Sequence, residues 1–215
     1  MGIRSVLLMD VFDAIEKRRS IRKYKEDDVP EAVLDGILEA VRLAPSACNR
    51  QPWKLIIVRD AKTRTRIANA CHYVSSRSGR HHIQKWVAEA PIVIVACGLV
   101  REANMKYCNR KGEDPVMHWE WDTYQSAAAE RPGVYESTVP WDLAVALDHL
   151  SLAARAEGLG TCWMAAFDEV EVQHILSILD EVRAPIVMTL GYPTEWPDPR
   201  PRKSLSELVC YEEYL

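Results

Sequence analysis

Apolar positions recur along this chain with more than one period, and the periods predict its elements. Between Asp10 and Arg19, Val11, Phe12 and Ile15 form a stripe at helical spacing. Pro30 suits a first helical position, and Val33, Leu34, Ile37, Leu38 and Val41 then repeat with helical period. This predicts a second helix ending before Pro45. Lys62 to Val74 reads as a third helix. The strongest prediction is Trp141 to Glu157, where Leu143, Ala144, Leu147, Leu150, Ala153 and Ala154 make a wide apolar face closed by Gly158. Val170 to Leu179 reads as one more helix. Three runs break this pattern by being almost continuously apolar: Leu55 to Val58, Ile92 to Ala96 and Ile186 to Leu190, the last interrupted by Thr189. β-branched runs of that kind predict buried strands. Thr161 to Ala166 predicts a short strand or turn, and prolines 197, 199 and 201 hold the tail extended. The last segment, 204–215, has no clear pattern.

Helices and buried strands are mixed without strict βαβ alternation. The expected fold is α+β, or a mixed α/β arrangement, with helices on both faces of a central sheet. A chain of 215 residues fits one domain. The stretch 101–137 stands apart. It is polar, aromatic and poorly periodic, and it carries Trp119, Trp121 and Tyr124. A long irregular segment inside a compact domain predicts a lid or a binding loop.

Composition narrows the functional classes. The net charge is -4, from 27 basic and 31 acidic side chains. That balance argues against a general nucleic-acid binder, which needs a strongly positive surface. No apolar run is long enough to span a membrane, and no signal-peptide pattern is present, so a cytoplasmic location is expected. The six cysteines, at 48, 71, 97, 108, 162 and 210, form no Cys-x-x-Cys pair. They are expected to be reduced, several of them in the core, with no metal site.

Four segments could carry chemistry. Arg18-Arg19-Ser20-Ile21-Arg22 could bind phosphate through guanidinium groups, or could simply complement the dipole at a helix end. Ala44 to Trp53 is a polar loop between a helix and a strand, where ligand loops often lie. A plain helix-to-strand turn is the other reading. Gly158-Leu159-Gly160-Thr161-Cys162-Trp163-Met164-Ala165-Ala166 has small residues that let backbone approach a ligand, or that merely make a tight connection. It is not a GxGxxG phosphate loop. Leu190 to Pro193, followed by Arg200-Pro201-Arg202-Lys203, presents cations from an extended segment that could equally be a solvated tail.

Taken together and in this order, these segments resemble the nitroreductase family of FMN enzymes. The matching elements are Arg18 to Arg22; Pro45, Ser46, Asn49, Gln51, Pro52 and Trp53; Gly158 to Trp163; and Leu190 to Pro193 with Pro199 to Leu205. The resemblance spans about residues 10 to 210. It implies an α+β fold with a central mixed sheet, and an intertwined homodimer with two flavins between the subunits. It implies FMN as cofactor, NAD(P)H as electron donor, and ping-pong hydride transfer through flavin N5 to a nitroaromatic, quinone or enone. Residue by residue, it implies that Arg18, Arg19, Ser20 and Arg22 contact phosphate, ribityl chain and pyrimidine edge, with Arg22 tuning the flavin. Pro45, Ser46 and Asn49 would come from the second subunit. Backbone around Trp163, Met164 and Ala165 would face the ring, and Arg200, Arg202 and Lys203 would grip the phosphate. No side chain acts as nucleophile. Ala165 and Ala166 stand where many members have glycine or an acidic residue. The insert at 101–137 has no clear family pattern, and Trp119, Trp121 and Tyr124 are its candidate substrate contacts. A specialised reaction on the same fold, such as dehalogenation, flavin fragmentation or ring oxidation, is the alternative. A non-catalytic flavin binder is a third.

Overall fold

A computed structural model of the chain describes residues 9–74, 81–99 and 139–214. Its helices are α1 (Val11–Lys17), α2 (Glu31–Arg42), α3 (Ala61–Ala70), α4 (Val139–Ala156), α5 (Glu169–Leu176) and α6 (Leu205–Leu208). Its strands are β1 (Trp53–Val58), β2 (His72–Val74), β3 (His81–Ile83), β4 (Ile92–Gly98), β5 (Gly160–Met164) and β6 (Arg183–Gly191). The stretch 101–137, with Trp119, Trp121 and Tyr124, lies outside the described residues.

The central sheet has the order β1-β4-β6-β5, with every pair antiparallel. The strands make an antiparallel sheet and not the mixed one expected; one isolated parallel bridge, Ser20 to Thr161, lies at its β5 edge. All seven residues of β4 are buried, because helices cover both faces. Alternation then sends its side chains into two cores. Ile92, Ile94 and Ala96 join Leu34, Ile37 and Val41 of α2 and Leu143, Leu147 and Leu150 of α4. Val93, Val95 and Cys97 join Ile67 of α3 and Val172 of α5. Pro185 cannot donate to a ladder, and the β4–β6 register shifts there, from Ala96–Ile186 to Gly98–Arg183. A bulge is where a central strand tolerates proline.

α4 ends as its sequence predicts. The Leu159 N–H donates to the Ala154 carbonyl at 2.8 Å and the Gly158 N–H to the Arg155 carbonyl at 3.1 Å, with Gly158 at φ 78°. This Schellman closure needs the left-handed conformation that glycine adopts freely. It turns the chain directly from α4 into β5.

Two further expectations are corrected. The third helix stops at Ala70, and His72–Val74 instead pairs with His81–Ile83 as a separate hairpin. α1 ends at Lys17, and Arg18 has extended backbone, so most of the first arginine segment lies beyond the helix. The apolar stripe of α1 faces outward in the single chain, with Phe12 76% exposed and only Ala14 buried. The final segment forms the short α6, where Ser204 and Glu207 make a capping box.

Candidate functional site

The two arginine segments meet because a short stretch after α1 is stitched between two parts of the sheet. The Ile21 N–H donates to the Thr161 carbonyl at 2.9 Å, fixing that stretch to the edge of β5. Further along, the Thr194 N–H donates to the Lys23 carbonyl at 3.2 Å and the Lys25 N–H to the Tyr192 carbonyl at 2.8 Å. Tyr24 thereby bridges Pro193 in antiparallel fashion. Its buried hydroxyl donates to or accepts from Thr189 Oγ1 at 2.6 Å, and it also lies 2.7 Å from the Ile21 carbonyl. Residues 18–22 and the extended run after β6 are therefore neighbours, although about 170 positions separate them.

Between them lies a cavity of about 790 Å³. Arg18, Arg19, Ser20 and Arg22 form one wall and Arg200 and Arg202 another, with Asp148 and Leu152 of α4 contributing as well. Asp148 and Leu152 are four apart on a helix and so share a face. Their part in the cavity was not foreseen, because the apolar face of α4 dominates its sequence pattern. Asp148 is the signal that could have shown it, a carboxylate beside Leu147 and a turn before Leu152.

The arginines divide their work. Arg19 donates from Nη1 to the Glu16 and Arg18 carbonyls, at 2.6 and 2.7 Å, and so satisfies the end of α1. Arg22 lies over the Trp86 ring, 5.7 Å from its centroid. Arg18, Arg200 and Arg202 form no ion pair among the described residues. The Cys162 thiol registers the local field. Burial pushes it up, while the Arg22 charge, the Ser20 hydroxyl and the Arg18 charge draw it down.

The other predicted residues among those described do not line this cavity. Lys203 follows Arg202 but is not part of the wall. Pro45, Ser46 and Asn49 belong to a turn fastened elsewhere. The Ala47 N–H donates to Asp142 Oδ1 at 2.9 Å, and Ser46 Oγ accepts from the Gln51 N–H at 2.9 Å. Asn49 and Gln51 sit at φ 55° and 49°, an uncommon conformation for residues with a side chain. Trp163 is fixed to α4 by its Nε1, which donates to Ser151 Oγ at 2.9 Å. The Met164 side chain enters the α3–α5 core. By strand alternation the main-chain groups of Trp163 point the same way as the Thr161 carbonyl, toward the outer edge of β5, while those of Met164 face β6; Ala165 follows the end of the strand.

A phosphate-bearing ligand fits this donor set. Guanidinium groups from two walls line one cavity, Ser20 adds a hydroxyl, and the buried Nε of Arg19, in one of those walls, has no hydrogen-bond partner among the described residues. Among the described residues no cluster of histidine, cysteine and carboxylate could hold a metal ion. No described helix is long and apolar enough to cross a membrane.

Comparison with known proteins agrees with this geometry. The Nitroreductase family model matches residues 15–192. An NADH dehydrogenase of Thermus thermophilus is 33% identical over 214 residues, covering 95% of this chain and 97% of that protein. A putative NADH dehydrogenase/NAD(P)H nitroreductase of Methanothermobacter thermautotrophicus is 31% identical over 196 residues, covering 89% and 82%. The crystal structure of a nitroreductase family protein from Clostridium novyi NT superposes with a TM-score of 0.65 at 29% identity, covering 88% of this chain and 89% of that one. A fold in which residues 18–22 and 200–202 enclose one cationic cavity, matched by that family over most of its length, identifies this chain as an oxidoreductase of the nitroreductase family.

Proposed function

We propose that this protein is an FMN-dependent NAD(P)H oxidoreductase that reduces an electron-poor acceptor such as a nitroaromatic, quinone or enone. The observation that carries the reading is the single cavity lined by Arg18, Ser20, Arg22, Arg200 and Arg202. When bound, FMN supplies the two-electron carrier between donor and acceptor. The chain supplies binding, position and electrostatics. Arg18, Arg200 and Arg202 hold the phosphate, with Ser20 donating its hydroxyl and Arg19 stiffening the wall. Arg22, supported by Trp86, adds a fixed positive charge toward the ring. The Ala165 N–H, just past the end of β5, would be the backbone donor for the ring's polar edge.

A homodimer completes the site. Phe12 of α1, Trp141 of α4 and Tyr211 near the C-terminus are 76%, 68% and 82% exposed in the single chain. Apolar surface of this kind suits a second copy. The Pro45–Asn49 turn, outside the cavity of its own chain, would then serve the partner's flavin. Trp119, Trp121 and Tyr124 are assigned to the acceptor side, and the cytoplasm is the proposed location.

The test is reconstitution with FMN, followed by NADH and NADPH oxidation with and without a nitroaromatic. The expected result is stoichiometric flavin uptake and acceptor-dependent turnover. Protein that takes up no FMN overturns the reading. Protein that binds FMN but oxidises neither nucleotide with any acceptor would instead be a non-catalytic flavin binder.

A further inference from the structure

The strap that carries Arg200 and Arg202 has little backbone fastening. After the Thr194 N–H bond to the Lys23 carbonyl, no helix or strand forms until α6 begins at Leu205. Prolines 197, 199 and 201 stiffen the strap but do not attach it. Two side-chain contacts do. Lys23 Nζ and Glu195 Oε1 are 2.7 Å apart, but both side chains are largely exposed, at 69% and 62%. Such a pair contributes little. The second contact is different. The Arg155 guanidinium carbon lies 3.9 Å from the centroid of the Trp196 ring.

We propose that Arg155 and Trp196 form a latch that positions the strap so that Arg200 and Arg202 face the phosphate end of the cavity. This rests on the phosphate reading of the cavity given above. Arg155 lies on α4 one turn beyond Leu152 and two beyond Asp148, so it extends the helix face that borders the cavity. It does not line the cavity itself, and its head is directed onto the indole face. Its Nε is buried and has no hydrogen-bond partner. Burial and the neighbouring Arg19 charge both disfavour its cationic form, with Asp13 opposing them. A cation in that position gains from an aromatic face. Trp196 provides one, and in return its large side chain is held on α4. Pro197 then leads the chain rigidly to Arg200, three residues on. Arg155 and Trp196 are thus positioning residues. They act on the phosphate through Arg200 and Arg202 and do not touch it.

The latch can be tested without the cofactor and then with it. Trypsin can cut the strap after Arg202 and Lys203, while Pro201 protects the bond after Arg200. In the flavin-free protein, Trp196→Leu should speed cleavage at those two sites about tenfold, because local opening governs cutting. Cleavage at other sites should keep its rate. Arg155→Met should do the same, and Arg155→Lys should restore part of the protection. With cofactor, Trp196→Leu leaves the charge unchanged and should weaken FMN binding about three- to tenfold. Riboflavin, which lacks the phosphate, should bind as it does to the wild type. Strap cleavage unchanged in both Trp196→Leu and Arg155→Met overturns the latch. Equal losses for FMN and riboflavin overturn it too, since that would mean a general distortion. Wild-type protein that binds no FMN refutes the phosphate reading, and the trypsin comparison still decides whether the strap is latched.

Discussion

Ile21 occupies the space directly over Gly160: a Cβ built on that glycine would lie 2.8 Å from the Ile21 Cβ, with other Ile21 atoms also in the way. Real Cβ atoms do not approach so closely. Residue 160 therefore has to lack a side chain for residues 20–21 to lie along β5. Gly160→Ala should push the 18–22 stretch off the sheet edge, at a cost of about 1–3 kcal/mol from overpacking. Urea unfolding would read the cost, and flavin retention would read the displaced arginines. A variant with wild-type stability and full flavin content would contradict this account of the stitch.

Tyr24 ties the same stretch to the core from its other end. Its hydroxyl is the partner of the Ile21 carbonyl and of Thr189 Oγ1. Tyr24→Phe keeps the ring but leaves a buried carbonyl with one partner fewer, which should cost about 1–2 kcal/mol. Thr189 can still donate to the Cys162 carbonyl, at 3.5 Å, so the loss should stay below that of a fully orphaned pair. Chemical denaturation at neutral pH measures it, and a neutral effect would mean the hydroxyl adds nothing to the stitch.

Stability should fall on the alkaline side. Burial pushes the Cys71 thiol from 9.0 up to about 12 and the Cys97 thiol from 9.0 up to about 11. Above pH 9 the unfolded chain releases these protons while the folded chain retains them. The native state then binds more protons, so stability falls as pH rises. It is fully present below about pH 9 and is lost progressively up to about pH 11 for Cys97 and about pH 12 for Cys71. Each thiol adds a slope of at most about 1.4 kcal/mol per pH unit within its window. Cys71→Ala also loses packing at every pH, but its diagnostic is the slope. Unfolding free energies between pH 8 and 11 should fall less steeply than in the wild type, and parallel curves would contradict the assignment.

Much of the scaffold was legible in the sequence. β4 reads as a continuous apolar run because its neighbours β1 and β6 place it inside the sheet, with helices over both faces. α4 announces itself through an apolar face that is almost wholly buried in fact. The third helix was overextended because Cys71, His72, Tyr73 and Val74 carry no helix breaker. Their pairing with His81–Ile83 is a non-local choice that periodicity does not report. α1 shows the opposite limit. Its apolar spacing gives a helix correctly but says nothing about which molecule covers the stripe.

The site divides in the same way. Arg18, Ser20 and Arg22 were recognisable by type and spacing, as were Arg200 and Arg202. Their meeting was not readable from local pattern, since it depends on bonds from Ile21 to Thr161 and from Lys23 and Lys25 to the chain after β6. Asp148, Leu152, Arg155 and Trp196 went unnoticed because each has an ordinary local explanation. The family resemblance joined the two ends of the chain before the geometry did, but it did not show what holds them together.

The central claim is that the two arginine segments form one binding site for a single phosphate-bearing cofactor. Equilibrium FMN titration of Arg22→Ala, Arg202→Ala and the double variant tests it most directly. Each single change should weaken FMN by roughly tenfold or more, as expected for a lost charge-assisted contact. The double variant should depart from additivity, because both cations serve one ligand. Wild-type FMN affinity in both single variants would contradict it.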